Sequence, residues 1–137
     1  MPASNRLASP DAGALTRLQQ SWGVPSRPRP IVIIGAGGVV RTAHLPVYQR
    51  LKFPVAGLYD INPDASRETA RRFGVSVVFA SLADAAASPD AIFDVAVPGD
   101  QSAGVLRELP RGSAVLIQKP MGEDLAGARA IVTICHD

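Results

Sequence analysis

The chain holds one cysteine, Cys135, and two histidines among its 137 residues. A single thiol closes no intramolecular disulfide and supplies no Cys-rich metal site, so no metal is expected and a reducing compartment is the easier setting. Long apolar runs are also missing. None approaches the roughly 18 to 20 residues of a membrane span, and the N-terminus lacks the apolar stretch of a secretory signal. A cytoplasmic protein with no membrane partner is therefore expected. An excess of one charge is absent from the body as well. Residues 1–30 contain four Arg and one Asp, which leaves 10 basic and 11 acidic residues for the remainder of a chain whose net charge is +2. A body that is slightly acidic argues against a nucleic-acid face.

What is present is enough apolar residue, 47% of the chain, to bury one core, and too few residues for two full domains. The organisation expected is a tail and linker over 1–30 and one domain over 31–137. The tail carries Pro2, Pro10, Pro25, Pro28 and Pro30 among Ser, Gly and Arg, a composition that forms no core of its own. Within it, Asp11 to Trp22 places Leu15, Leu18 and Trp22 along one helical stripe, while a frayed extension fits as well. The run from Pro25 to Pro30 reads as a semi-extended linker.

The stretch Pro30–Arg41, PIVIIGAGGVVR, organises the body. Ile31, Val32, Ile33 and Ile34 are β-branched and apolar without alternation, as a parallel strand covered on both faces requires. Gly35 and Gly37 then supply the first two glycines of a G-x-G-x-x-G turn, with Val40 in the third place. Beyond the turn, Val40, Ala43, Val47 and Leu51 follow a helical stripe. Pro46 interrupts it by removing the bond to the Thr42 carbonyl and disfavouring helical angles at Leu45, which predicts a kink or break near His44.

Strands and helices alternate through the rest. Val55–Asp60 reads as a second strand. Asn62 and Pro63 cap a helix to Phe73, with Ala65, Thr69 or Ala70, and Phe73 inward, and Gly74 closes it. Val75–Ala80 reads as a third strand, Leu82 to about Ala87 as a helix, and Ile92–Val97 as a fourth strand. A helix burying Ser102, Val105, Leu106 and Leu109 follows. Ala114–Ile117 makes a fifth strand, and a last helix from Glu123 to about Ile134 places Leu125, Ala128, Val132 and Cys135 on one stripe. This is an α/β pattern, a doubly wound parallel sheet (Rossmann fold) of about five strands ordered 3-2-1-4-5.

A glycine turn alone is weak evidence of ligand binding. Here it follows a strand, opens a helix, and precedes Asp60 at the end of the second strand, where a ribose diol would be held. The backbone amides of Ala36, Gly37, Gly38 and Val39 would face a pyrophosphate at the positive end of the helix. A carboxylate at 60 accepts from ribose hydroxyls and repels a 2′-phosphate, which favours NAD over NADP, although Arg67 one to two turns on tempers the preference. A methyltransferase is the competing reading. It calls for an acid just ahead of the glycines, where this chain has Ile33 and Ile34.

Four separated segments, GAGGVVRTAHLPVY, GLYDINP, VAVPGDQ and VLIQKPMGEDLAGARAI, together resemble the N-terminal domain of the Gfo/Idh/MocA family (glucose-fructose oxidoreductase, inositol dehydrogenase, rhizopine catabolism) across residues 30–134. The resemblance implies a nicotinamide-dependent oxidoreductase acting on a sugar, polyol or related small molecule. It assigns Lys119 and Pro120 to the family's glutamate-lysine-proline motif, with Gln118 in place of the glutamate, and implies a polarising or proton-relay role for Lys119 beside the nicotinamide. The physical reading agrees, since such sheets bind ligands at the carboxyl ends of their strands. In the fourth-strand loop, Pro98 to Ser102, the usual asparagine and histidine are lacking, leaving Pro98 and Gln101, or Asp100, beside the nicotinamide ribose. His44 matches a family histidine and reads as structural.

The resemblance also implies a C-terminal substrate domain that these residues do not include. The expectation is a fragment that binds the cofactor, acts on small molecules only with a second domain, and oligomerises, if at all, in full-length form. A non-catalytic NAD-binding module or sensor is the alternative.

Overall fold

The structure, a computed structural model, describes residues 23–136. In chain order it contains β1 (Ile31–Ile34), a π-helical turn (Val40–His44) running into α1 (Leu45–Leu51), β2 (Val55–Tyr59), α2 (Pro63–Phe73), α3 (Leu82–Ala86), β3 (Ile92–Val95), α4 (Gly99–Glu108), β4 (Ala114–Ile117) and α5 (Leu125–His136). The helix anticipated over Asp11–Trp22 lies outside the described residues.

The four strands form one parallel sheet ordered β2-β1-β3-β4. All four β1 residues are buried, because helices cover both of its faces. Full burial of an aliphatic side chain stabilises by about 1.5–3 kcal/mol, so this strand is a large part of the core. On one face Val32, Ile34, Phe93 and Val95 meet Ala85 of α3, Leu106 of α4 and Ile131 of α5. On the other, Ile33 and Leu58 meet Val40 and Leu45 at the first helix and Ala70 of α2.

Four expectations are corrected. The stretch Val75–Ala80 is not a strand: it lies at the anticipated edge but makes a single parallel bridge, Val78 to Leu58. Its backbone bonds there are Leu58 N–H to Val77 O at 3.1 Å and Phe79 N–H to Leu58 O at 3.0 Å. Val77 and Val78 remain exposed, so extending the ladder would bury little.

Leu45 keeps helical angles (φ −58°, ψ −44°) despite preceding Pro46, and its N–H reaches back five residues to the Val40 carbonyl. The missing proline donor is absorbed by a widened turn rather than a break. The stripe expected beyond Val40 is not the inward one either: Ala43, Val47 and Leu51 are exposed, and Leu45 and Tyr48 pack inward with Val40.

The inward face of α5 is also rotated from the anticipated stripe. Ile131 is buried, while Leu125, Val132 and Cys135 are exposed. Gly127 and Ala128 seat the helix against Gly122, and that close approach sets which side turns inward.

Other details match. The Asn62 side chain accepts from the N–H groups of Asp64 and Ala65, Pro63 follows it, and Gly74 ends α2 in the left-handed region (φ 67°). The linker is tied to the sheet by Arg29. Its guanidinium donates to the carbonyls of Asp90 (3.0 Å) and Ala91 (3.1 Å) and pairs with the Asp90 carboxylate.

Candidate cofactor site

The carboxyl ends of β1, β2, β3 and β4 carry, respectively, the glycine turn, Asp60, the Pro98 loop and Lys119. At the glycine turn, Gly35 has φ 105°, and a Cβ there would lie 2.4 Å from the Ala96 carbonyl oxygen. Only glycine lets β1 leave the sheet so close to β3. Ala36 is buried. At Gly37 and Gly38 the situation is opposite: a Cβ at either would meet no protein atom within 4 Å, so the space before the helix is open. Val40 fills the third glycine position with a fully buried side chain in the core.

Asp60 is bound to this turn. Its Oδ2 accepts from the Ala36 N–H at 2.7 Å and its Oδ1 from the Asn62 N–H at 2.8 Å. One acid thus joins the turn after β1 to the cap of α2. The Ala36 amide is used internally, which leaves those of Gly37, Gly38 and Val39 in the first helical turn, where backbone N–H groups lack intrahelical partners. A carboxylate has about four lone-pair positions, so two remain at Asp60 for hydroxyl donors. Open space at the glycines, unclaimed amides and a carboxylate with spare acceptors fit a dinucleotide. Arg67 is engaged elsewhere, 2.8 Å from the Asp64 carboxylate.

Pro98 and Gln101 open α4, with the Gln101 N–H donating to the Pro98 carbonyl at 3.0 Å. Pro98, Gln101 and Lys119 are exposed. The peptide between Lys119 and Pro120 is cis. β4 lies two strand spacings, about 10 Å, from β1, so the expected site residues share one edge of the sheet.

Behind that edge is a polar cluster only partly anticipated. Asp94, in the middle of β3, is fully buried and shares its face with Ile33 and Leu116 of the neighbouring strands. Its Oδ2 lies 2.7 Å from His44 Nδ1 and accepts from the Tyr48 hydroxyl at 2.8 Å. His44 Nε2 lies 2.8 Å from Gln118 Nε2, and Gln118 Oε1 accepts from the Lys119 N–H at 2.9 Å. Burial, then the charge and hydrogen bond of Asp94, push the Tyr48 phenol well above its ordinary value. The signal for Asp94 was legible: a carboxylate inside an otherwise apolar parallel strand is stable only if donors reach it. Nothing in the spacing named Tyr48 as one of them.

A groove of about 500 Å³ runs along the outer side of β4 between α4 and α5, lined by Leu109, Pro110, Val115, Ile134 and Cys135 among others. None of its lining residues belongs to the glycine turn, Asp60 or Lys119. Among the described residues no helix is long and apolar enough to cross a membrane.

Comparison with known proteins bears on this arrangement. No curated protein matches the chain. Solved structures do. An oxidoreductase from Thermotoga maritima superposes with a TM-score of 0.71 at 23% identity, over 81% of this chain and 36% of that one. Myo-inositol dehydrogenase from Lactobacillus casei, solved with NAD(H) and myo-inositol, gives 0.71 at 21%, over 79% and 33%. A 3-ketoreductase from Actinomadura kijaniata, solved with TDP-benzene and NADP, gives 0.67 at 23%, over 80% and 35%. The chain therefore spans about a third of the length of these structures, and at such identities the likeness establishes the fold. The model of the oxidoreductase family with an NAD-binding Rossmann fold matches residues 29–137, nearly the whole described body. With the parallel sheet and its glycine turn, that match places the chain in the Gfo/Idh/MocA family of oxidoreductases, as its NAD-binding Rossmann domain.

Proposed function

We propose that residues 31–137 form the nicotinamide-dinucleotide-binding part of a dehydrogenase acting on a sugar, polyol or related small molecule, with residues 1–30 as a tail and linker. The observation that carries the reading is the Asp60 carboxylate, held by the Ala36 amide against the turn that would cradle the pyrophosphate. Gly37, Gly38 and Val39 present amides to the phosphates, and Asp60 takes the adenosine ribose hydroxyls. Pro98 and Gln101 border the nicotinamide end. Lys119 polarises the reacting hydroxyl or carbonyl and exchanges its proton. When bound, the nicotinamide accepts or donates the hydride.

The preference is for NAD. A carboxylate at 60 repels a 2′-phosphate, and the Arg67 guanidinium that would offset it is paired with Asp64. Substrate contacts and any oligomer interface come from a further domain, because the chain spans about a third of its solved neighbours. Fluorescence titration with NADH and NADPH tests the assignment: NADH binds and NADPH binds at least tenfold more weakly. Equal affinity would remove Asp60 as the selector, and absence of binding to either would remove the cofactor role.

A second reading, a non-catalytic NAD-binding module, draws on Gln118. An amide stands where the family motif has an acid, and its side chain is spent on His44 and the Lys119 amide. The two readings part on Lys119, which a module does not need.

A further inference from the structure

We propose that Gln118, His44 and Asp94 form a one-directional hydrogen-bond relay that positions the Lys119 backbone. The inference rests on the role proposed for Lys119 and concerns what stands behind it.

Direction follows from the donor inventory. Gln118 Oε1 receives the Lys119 N–H at 2.9 Å, so the amide oxygen is committed and the amide nitrogen faces His44 Nε2 at 2.8 Å. An amide nitrogen only donates. His44 Nε2 is therefore the acceptor, and the ring proton sits on Nδ1, directed at Asp94 Oδ2 2.7 Å away. Tyr48 donates to the same oxygen. Every donor from Lys119 inward points toward the one fully buried carboxylate of β3, and bonds aligned in this way polarise one another. The Lys119 backbone is thereby tied to the sheet interior while its side chain remains exposed.

The amide also decides what the relay cannot do. An imidazole backed by a carboxylate shuttles protons when an ionisable group faces its other nitrogen. Here that group is a primary amide, which neither gives up nor accepts a proton under ordinary conditions. The relay therefore carries no proton and holds the Lys119 backbone instead. Gln118 is thus a positioning residue. A glutamate in its place would present an acceptor to the acceptor Nε2, so a proton would have to be added, to His44 Nε2 or to the glutamate itself.

The test uses the 137-residue chain labelled with 15N, without nicotinamide. Long-range proton–nitrogen correlation spectra are recorded, with His136→Gln to assign the His44 signals. One protonated nitrogen, Nδ1, and one bare nitrogen, Nε2, are expected. A native ring protonated on Nε2, alone or together with Nδ1, would overturn the relay. Gln118→Met gives the second readout: exchange of the Lys119 amide hydrogen should quicken at least tenfold. Unchanged exchange would refute the positioning role. Since no measurement here needs a cofactor, the relay and the dinucleotide assignment fail separately.

Discussion

His44 Nδ1 and Asp94 Oδ2 lie 2.7 Å apart although fifty residues separate them in the chain. The contact joins the first helix to a central strand, and it exists because the π-turn carries His44 over β3. Through Gln118 the same ring reaches the end of β4, so the proposed cofactor edge and the buried carboxylate are mechanically one unit.

Glycines 35 and 37 should separate folding from binding. Gly35→Ala puts a Cβ 2.4 Å from a backbone oxygen at φ 105° and should cost about 3 kcal/mol or more, read as a lowered denaturation midpoint. Gly37→Ala meets no protein atom. It should fold with a midpoint near that of the native chain yet lose NADH affinity at least tenfold, because the methyl enters the space given to the pyrophosphate.

Asp60→Ala should do both kinds of damage. It strands the Ala36 N–H of a buried residue, at about 1–3 kcal/mol of stability, and removes the ribose acceptor, weakening NADH about tenfold. Asp60→Asn retains an acceptor for Ala36 and should recover most of the stability. Thermal melts and fluorescence titration on the same preparations distinguish the two contributions, and an Asp60→Ala chain that binds NADH normally would take the residue out of the site.

Tyr48 makes stability fall at alkaline pH. Its phenol titrates well above the ordinary 10.0 in the folded chain, so the folded state keeps a proton that the unfolded state releases. The stabilisation is complete below pH 10 and is lost as pH rises from there toward the folded value. Urea midpoints measured from pH 8 to 11 should decline above 10, less so in Tyr48→Phe. That variant should also lose about 1–3 kcal/mol at neutral pH, since the buried Asp94 forfeits a donor.

Lys119→Ala, introduced into a longer protein that contains this domain and turns over a substrate, should lower kcat far more than it raises the Kd for NADH. The reverse split would make Lys119 a binding residue and favour the non-catalytic module.

Much of the architecture was legible because it rests on local chemistry. Four β-branched residues before Gly35 specify a buried parallel strand, Asn62-Pro63 and Gly74 bracket a helix, and Ala114–Ile117 runs between turn signals. Errors arose where burial by distant partners decides. Val75–Ala80 has strand composition but lacks a covering partner. The α5 stripe was misplaced because two glycines, not helical period, fix how that helix seats. Leu45 stayed helical because a π-turn could absorb Pro46.

The candidate site divides the same way. Sequence by itself offered the glycine turn and the acid at 60, since each is a residue type suited to its place at a strand terminus, and offered the Lys119-Pro120 end through its resemblance to the family motif. Tertiary structure alone decided that Asp60 binds the turn through the Ala36 amide. It alone brought His44 and Tyr48, from the π-turn and the first helix, onto Asp94, and Gln118, from the end of β4, onto His44. A buried carboxylate announces that it needs donors, but spacing along a chain does not say which donors will arrive; that depends on how the helices cross the sheet.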